Sequence, residues 1–127
     1  MVDDESDICE TFKIALQENG YIVNTFNNPI VALENLRNNP NKYEIMISDY
    51  HMPNLNGCEL GTKVKELNGN IKVILTSAYY SIVDNNLNFE FVEKPFTLQN
   101  LLDKVNFYLE DDNPTVHHYQ RGKDEIC

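Results

Sequence analysis

Carboxylates, a hydroxyl and an ammonium group stand directly after four short apolar segments of this sequence. Carboxylates that are crowded together repel one another, and a divalent cation relieves that repulsion. A small set of hard oxygen ligands suits Mg²⁺, which keeps several of its waters. A carboxylate can also attack phosphorus when nearby positive charge neutralises the incoming oxygens. The residues are Asp3 and Asp4 after residues 1–2, Asp49 after 45–48, Ser77 after 73–76, and Lys94 after 91–93.

The elements that must position these groups follow from hydrophobic patterning. Near-continuous apolar runs predict buried strands at 22–26, 43–48, 72–77 and 89–92, with residues 1–2 as a strand stub. Helical patterns lie between them, which predicts a parallel α/β sheet with helices on both faces. Ligands bind at the carboxyl edge of such a sheet, so the polar groups are expected to converge there. The apolar helical stripes are Ile8, Phe12, Ala15 and Leu16; Ile30, Leu33 and Leu36 after Pro29; Leu60, Val64 and Leu67; and, after a Thr97 N-cap, Leu98, Leu101, Leu102, Val105 and Leu109.

Length, charge and cysteine content limit the classes of function. A chain of 127 residues suits one domain, and its 42% hydrophobic and 24% charged residues suit a soluble globular protein. The net charge of −10 argues against binding to nucleic acid or to an anionic membrane surface, and indicates either solubility or a cation site. Cys9, Cys58 and Cys127 have no metal-ligand spacing, which predicts free thiols in a reducing cytoplasm. No stretch is apolar enough for a signal peptide or a membrane span.

Four motifs, in this order, resemble those of response-regulator receiver domains, the phosphorylated partners of sensor histidine kinases. The resemblance covers about residues 2–111. Within the family, the chain is similar to stand-alone, chemotaxis-type regulators. It implies a flavodoxin-like, doubly wound parallel sheet of five strands in the order 2-1-3-4-5. The motifs are Val2-Asp3-Asp4-Glu5, Asp49-Tyr50-His51-Met52-Pro53-Asn54-Leu55-Asn56-Gly57, Thr76-Ser77-Ala78-Tyr79 and Val92-Glu93-Lys94-Pro95-Phe96.

The resemblance also implies a metal site around one phosphate-accepting residue. Asp49 is implied as the phosphoacceptor, forming an aspartyl phosphate. Asp4 and Asp49 are implied as direct Mg²⁺ ligands, His51 as a ligand through its backbone carbonyl, and Asp3 as a ligand through water. The expected cofactor is therefore Mg²⁺.

The remaining implied roles concern the phosphoryl group and the signal. Ser77 and Lys94 are implied to contact the phosphoryl group, and Phe91 matches the position of a switch aromatic. The resemblance implies a phosphoacceptor signalling domain, not a classical enzyme, that promotes its own phosphorylation and dephosphorylation. Its expected partners are a sensor histidine kinase or phosphotransfer protein and a downstream protein target.

Each of these residues also has a simpler structural interpretation. Asp3, Asp4 and Glu5 can be a solvated acidic start, or a helix N-terminal cap that complements the helix dipole. Asp49 can cap a turn, Ser77 can be a strand-end hydroxyl, and Lys94 can be a surface lysine. Phe91 can be plain core, and the side chain of His51 is expected to be an exposed loop residue. Outside the motifs, His117-His118 is expected to be solvated rather than metal-binding, and Tyr79-Tyr80 can pack or bind a partner.

The sequence departs from the family pattern at its start and in one internal segment. Only Met1 and Val2 precede Asp3, so the first strand is expected to be truncated relative to a typical receiver. The stretch 78–89 is short and rich in asparagine, which predicts an abbreviated fourth helix. Residues 1–111 are expected to form the domain, and 112–127 a loose polar tail that is too short for an output domain.

Two other hypotheses remain. The truncated first strand is compatible with a phosphorylation-independent binding module on a receiver scaffold. A phosphatase with an aspartate nucleophile would need a second Asp two residues after Asp49, where this sequence has His51.

Overall fold

A single parallel sheet with helices on both faces organises the chain. The computed structural model describes residues 1–78, 89–111 and 125–127. In chain order, the elements of these ranges are α1 (Ser6–Glu18), β1 (Ile22–Val23), α2 (Pro29–Asn38), β2 (Ile45–Asp49), α3 (Gly57–Leu67), β3 (Lys72–Ser77), β4 (Glu90–Glu93), α4 (Leu98–Asp111) and β5 (Glu125–Ile126).

The strands lie in the order β1-β5-β2-β3-β4, and all pairs are parallel. Val2 adds isolated parallel bridges to Phe26 and Ser48, in line with β5. In the expected order 2-1-3-4-5, the first strand lies between the second and the third, which correspond here to β1 and β2. The predicted fold class is therefore confirmed, and residues 1–2 are the short stub that the sequence indicated.

The central strands are buried on both faces, as their apolar runs predicted. Every residue of β2 is buried, and its side chains alternate between two core layers. Ile45 and Ile47 contact the layer that includes Leu16 of α1 and Leu101 of α4. Met46 contacts the opposite layer, which is built from side chains of α2 and α3. This double burial holds the carboxyl end of β2 in a fixed place.

Side-chain caps mark where α3 and α4 begin. The Thr97 hydroxyl accepts a hydrogen bond from the Asn100 N–H at 3.0 Å, which confirms the predicted N-cap of α4. Asn56 and Glu59 form a reciprocal capping box at the start of α3. The capping box fixes the point at which the loop after Asp49 turns into a helix.

One predicted helical stripe is wrong in part. Ile30 is exposed, whereas Ala32, Leu33 and Leu36 are buried between α2 and the sheet. Helix α2 turns its 32, 33 and 36 positions inward, and this rotation leaves position 30 on the solvent side.

The end of the chain differs from the expected loose tail. Residues 125–126 form β5 inside the sheet, and Cys127 is buried. Residues 112–124, with His117-His118, lie outside the described residues, as do Tyr79-Tyr80 and most of the segment predicted as a short fourth helix. Among the helices that the structure describes, none has the length and apolar character that crossing a membrane requires.

Candidate metal and phosphoryl site

Residues 1–2, β2 and β3 are neighbours in the sheet, and several predicted site residues lie together at their carboxyl ends. Asp49 is the last residue of β2, and its N–H donates to the Val2 carbonyl at 2.8 Å, which places Asp3 beside it. On the other side, Asp49 pairs in register with Thr76 of β3. Ser77 therefore stands one residue beyond the partner of Asp49, at the same edge of the sheet.

Three carboxylates converge at this edge. Asp3, Asp4 and Asp49 each offer one oxygen, and these oxygens lie within 4.8 Å of one another. Asp3 is 1% exposed and Asp49 is 8% exposed, whereas Asp4 is open to solvent. Two of the three carboxylates are therefore buried walls of this cluster, and the third opens it to solvent.

Lys94 approaches the carboxylates from the strand at the edge of the sheet. Its Nζ lies 3.3 Å from Asp49 Oδ1 and 3.7 Å from Asp3 Oδ2. The Lys94 N–H donates to the Ser77 carbonyl at 2.8 Å, so the backbone after β4 is tied to the end of β3. The Lys94–Pro95 peptide bond is cis. One ammonium group thus faces two buried carboxylates.

Asp3 carries a buried charge that the protein satisfies only in part. Its Oδ1 accepts a hydrogen bond from the Glu5 N–H at 2.9 Å, but its Oδ2 is buried and has no hydrogen-bond partner among the described residues. Burial raises the pKa of this carboxyl, although the Glu5 N–H and the Lys94 ammonium oppose the shift. An orphaned carboxylate oxygen within a cluster of oxygens fits a divalent cation.

The loop after Asp49 is held by a close backbone contact at Gly57. Its N–H donates to the Tyr50 carbonyl at 2.8 Å. A Cβ at position 57 would lie 2.5 Å from the Asp49 carbonyl oxygen, so a larger residue would displace the backbone of the site. Asn54, within the same loop, adopts a left-handed conformation with φ of 74°. The Gly57 of the recognised motif is therefore explained by steric contact with the Asp49 backbone.

The remaining predicted residues are Ser77, His51 and Phe91. Ser77 is 1% exposed at the end of β3. The His51 side chain is exposed, and its ring lies edge-on to Tyr50 with centroids 4.7 Å apart. Phe91 is half-buried on β4, where it pairs with Leu75 and lines an open cavity of about 530 Å³.

Cys9 is a neighbour of the site that the sequence did not indicate. The sequence predicted a free thiol at this position, but not that it contacts the acidic pair. Its Sγ lies 3.8 Å from the Asp3 carbonyl oxygen. Burial, followed by the charge of Asp3, raises the pKa of this thiol to about 11. The only sequence signal was its place one helical turn after Glu5.

Comparisons with known proteins agree with this geometry. The family model of the response regulator receiver domain matches residues 1–106. The response regulator receiver protein CpdR of Brucella abortus is 24% identical over 110 residues, which are 83% of this chain and 90% of that protein. A CpxR homolog of Haemophilus influenzae, described as a transcriptional regulatory protein, is 28% identical over 114 residues. The chain matches only 48% of the length of that regulator.

Solved structures of receiver domains are also similar. A response regulator receiver domain protein from Clostridium thermocellum has a TM-score of 0.77 and 26% identity, over 90% of this chain and 94% of that one. The response regulator TrrA of Thermotoga maritima, solved in complex with Mg²⁺ and BeF, has a TM-score of 0.74 and 33% identity, over 85% and 95%. With the family model matching most of its length, this chain belongs to the family of response regulator receiver domains.

Proposed function

We propose that this receiver domain accepts a phosphoryl group on Asp49 in a Mg²⁺-dependent reaction. The observation that carries the proposal is the convergence of three carboxylate oxygens within 4.8 Å, with the Lys94 ammonium 3.3 Å from Asp49 Oδ1. Asp49 has a fixed backbone, because every residue of β2 is buried, and its carboxylate lies nearer to the Lys94 ammonium than that of Asp3 does. These properties suit a nucleophile that must be held in line with an incoming phosphorus.

The metal site of the proposal uses residues from two strand ends. Asp4 and Asp49 bind Mg²⁺ directly, Asp3 binds it through water, and the His51 backbone carbonyl completes the protein ligands. When bound, Mg²⁺ neutralises the charge of the carboxylates and of the phosphoryl oxygens. The orphaned Asp3 Oδ2 supports this assignment, since a hydrated cation supplies the hydrogen-bond donors that the described residues do not.

In the transfer step, one bond to phosphorus replaces another. A carboxylate oxygen of Asp49 forms the new bond to phosphorus, while the bond from phosphorus to the donor's histidine nitrogen breaks. The electron pair of that bond returns to the imidazole. Lys94 holds one phosphoryl oxygen and Ser77 donates to another, so that the charge in transfer is met by fixed donors.

The outcome of phosphorylation is a change in protein binding. We propose Phe91 as the aromatic residue whose position changes, since it is half-buried on β4 beside an open cavity. The partners are a sensor histidine kinase or phosphotransfer protein as donor and a downstream protein as target. The free cysteines support a cytoplasmic location. We assign the receiver to residues 1–111, together with the last three residues, which lie in its sheet.

Intact mass after incubation with acetyl phosphate and Mg²⁺ tests the proposal. We expect the wild type to gain the mass of one phosphoryl group, and the gain to disappear when a chelator removes the Mg²⁺. Asp49→Asn is expected to abolish the gain because the amide oxygen is a poor nucleophile.

The matched control is Asp7→Asn, which neutralises an exposed carboxylate in the first turn of α1. It should leave the gain unchanged. A wild type that takes no phosphoryl group, or an Asp49→Asn variant that takes one as readily, would contradict the proposal.

The competing hypothesis is a binding module that is never phosphorylated. Its motivation was the truncated first strand, and β5 occupies that place in the sheet. A titration with Mg²⁺ followed by NMR separates the two, because the binding module predicts no shifts confined to residues around Asp49.

A further inference from the structure

Three asparagines of this chain, Asn19, Asn56 and Asn68, are each followed by glycine. An asparagine in this context can lose its side-chain amide when the next backbone nitrogen attacks its Cγ. Glycine favours the attack because it has no Cβ to crowd that nitrogen. The attack also needs a nitrogen that is free of hydrogen bonds and a backbone that can bring the two atoms together. The three places differ in both respects.

The surroundings of Asn56 close it to this reaction. The Gly57 N–H donates to the Tyr50 carbonyl at 2.8 Å, so the attacking nitrogen is engaged. The Asn56 side chain accepts a hydrogen bond from the Glu59 N–H at 2.8 Å within the capping box. Gly57 is buried against the backbone of Asp49. The backbone at Asn56 therefore has no room to rotate towards the side chain.

Asn19 is exposed, but both of its reacting groups are engaged at the end of α1. The Gly20 N–H donates to the Gln17 carbonyl at 3.0 Å. The Asn19 Nδ2, which would leave as ammonia, donates to the Ala15 carbonyl at 2.9 Å. Both hydrogen bonds must break before the nitrogen can attack, which slows the reaction at this place.

The turn at residues 68–70, between α3 and β3, leaves the corresponding groups open. Within the part of the chain that the structure describes, nothing accepts a hydrogen bond from the Gly69 N–H or from Asn68 Nδ2. Gly69 and Asn70 are exposed, and a Cβ at position 69 would meet only the Lys65 carbonyl oxygen, at 4.0 Å. The ψ angle of Asn68 is 100°, so its backbone must rotate before a ring can close. This exposed turn has the space for that rotation.

The side-chain carbonyl of Asn68 is also polarised for attack. Its Oδ1 accepts a hydrogen bond from the Asn70 N–H at 3.0 Å. A donor on a carbonyl oxygen stabilises the negative charge that develops there when a nucleophile adds to the carbon. Asn56 has a comparable donor in the Glu59 N–H, but its nucleophile is engaged. The turn at Asn68 thus combines a polarised carbonyl with an open nucleophile.

We propose that Asn68 is a site of spontaneous modification, at which the side-chain amide is lost through a cyclic imide with Gly69. The Gly69 nitrogen forms a bond to Asn68 Cγ and gives up its proton. The bond from Cγ to Nδ2 breaks, and ammonia leaves with that proton. Water then opens the five-membered ring. Its attack at Cγ gives aspartate, whereas its attack at the backbone carbonyl carbon gives isoaspartate.

The two products differ in their effect because this turn leads into the central strand β3. The Ile71 N–H donates to the Asn68 carbonyl at 3.2 Å, and Lys65 Nζ donates to the Ile71 carbonyl at 2.7 Å. Isoaspartate adds one carbon to the backbone just before Ile71, which is 1% exposed, and Lys72, which is in register with Ile45. We expect this product to lower the melting temperature. Aspartate keeps the backbone unchanged and places its carboxylate in the same turn as the Lys65 ammonium, so we expect it to have little effect.

Peptide mapping of the full-length protein, after storage in warm, mildly alkaline buffer, follows all three asparagines at once. Mass spectrometry detects the change from amide to acid, and chromatography separates aspartate from isoaspartate peptides. In the folded protein we expect Asn68 to react at least roughly fivefold faster than Asn19 and at least roughly tenfold faster than Asn56, because these two must first open locally. In guanidinium chloride the three rates should agree within about twofold, since the fold no longer distinguishes them.

A substitution at the attacking residue tests the route through the cyclic imide. Gly69→Ala should slow the reaction of Asn68 by at least roughly tenfold, because a Cβ crowds the nitrogen, and should leave the melting temperature unchanged. The matched control is Glu66→Ala, which alters an exposed side chain in the last turn of α3 and should leave the rate at Asn68 unchanged.

Two results of the mapping would overturn the proposal. One is an Asn68 that reacts no faster than Asn19 and Asn56 in the folded protein. The other is an Asn68 that leads by the same factor in guanidinium chloride, which would mean that the neighbouring residues and not the fold select it. An isoaspartate form, separated by ion exchange, that melts together with the unmodified protein would contradict the effect on β3.

Discussion

At the level of single residues, Asp3 combines burial with an incompletely satisfied charge. Its Oδ2 is 3.7 Å from Lys94 Nζ, which is too far for a hydrogen bond. Burial raises the pKa of this carboxyl above its ordinary value of 3.8. A raised pKa means that the neutral form is favoured in the folded state. Without metal, the contribution of the Asp3 carboxyl to the stability of the fold is therefore fully present below the ordinary pKa. It is lost as the pH rises through the raised pKa.

The first prediction follows for Asp3→Asn. In the presence of a chelator at neutral pH, we expect the free energy of unfolding to rise by about 1 kcal/mol, because the variant buries no charge. The same variant should bind Mg²⁺ more weakly than the wild type. Thermal unfolding and Mg²⁺ titration measure the two effects, with Asp7→Asn as the control for an exposed carboxylate. A variant that is less stable without metal would contradict this account of Asp3.

The second prediction concerns Lys94. Lys94→Met keeps much of the side-chain length but removes the ammonium that lies 3.3 Å from Asp49. We expect the rate of phosphate uptake from acetyl phosphate to fall by about 100-fold, as when a positioned donor is lost from a transition state. Lys63→Met, on the exposed face of α3, is the control and should leave the rate unchanged. Equal rates of phosphate uptake in the two variants would contradict a role for Lys94 in the site.

At the level of elements, the turn from β2 into α3 depends on close backbone packing. Gly57 stands where α3 begins, directly against the carbonyl of Asp49. The capping box of Asn56 and Glu59 starts the helix at this point. The local sequence thus specifies the helix start, whereas the need for glycine comes from a contact with β2.

The third prediction compares two glycines. A Cβ at Gly57 would lie 2.5 Å from the Asp49 carbonyl oxygen, whereas one at Gly69 would meet only the Lys65 carbonyl oxygen at 4.0 Å. We expect Gly57→Ala to lower the free energy of unfolding by about 1–3 kcal/mol, since overpacking forces the backbone to shift. Gly69→Ala should have little effect. Urea unfolding of both variants measures the difference, and equal stabilities would contradict the steric argument.

Most elements were predictable because their patterns are local. The stripe of α4 runs over five apolar positions, and the burial of Leu101, Leu102, Val105 and Leu109 follows it. The prediction for α2 was wrong at Ile30, because three apolar positions leave the rotation of a short helix undetermined. Only packing of Ala32 and Leu33 against the sheet decides which side faces inward.

At the level of the whole molecule, net charge and the acidic cluster act together on stability. The chain carries a net charge of −10, and three of its carboxylates meet at one edge of the sheet. A cation bound there stabilises the folded state by mass action, since the unfolded chain does not hold the carboxylates together.

The fourth prediction is therefore a rise in melting temperature with Mg²⁺. At about 100 times the dissociation constant, the expected gain is about 2.7 kcal/mol. Salt also relieves general repulsion, so the control is NaCl at the same ionic strength. Asp49→Asn should lose the gain that is specific to Mg²⁺ and keep the effect of salt. An equal response to the two salts in the wild type would contradict a specific metal site.

By itself, the sequence determined the parallel α/β fold and the convergence of the site. Asp3, Asp49 and Lys94 each follow a strand, and parallel strands end at one edge, so their meeting needs no knowledge of distant contacts. The order of the four motifs also predicted the family, and the comparisons confirmed that prediction.

Only the tertiary structure decided what fills the internal strand position. Glu125–Cys127 is too short for its pattern to predict a strand, and it belongs to a polar stretch. It becomes one because β1 and β2 offer unpaired backbone groups, and the core layers on both faces receive Ile126 and Cys127. Such a strand is specified by its neighbours and not by its own residues, which is why local reasoning took it for a tail.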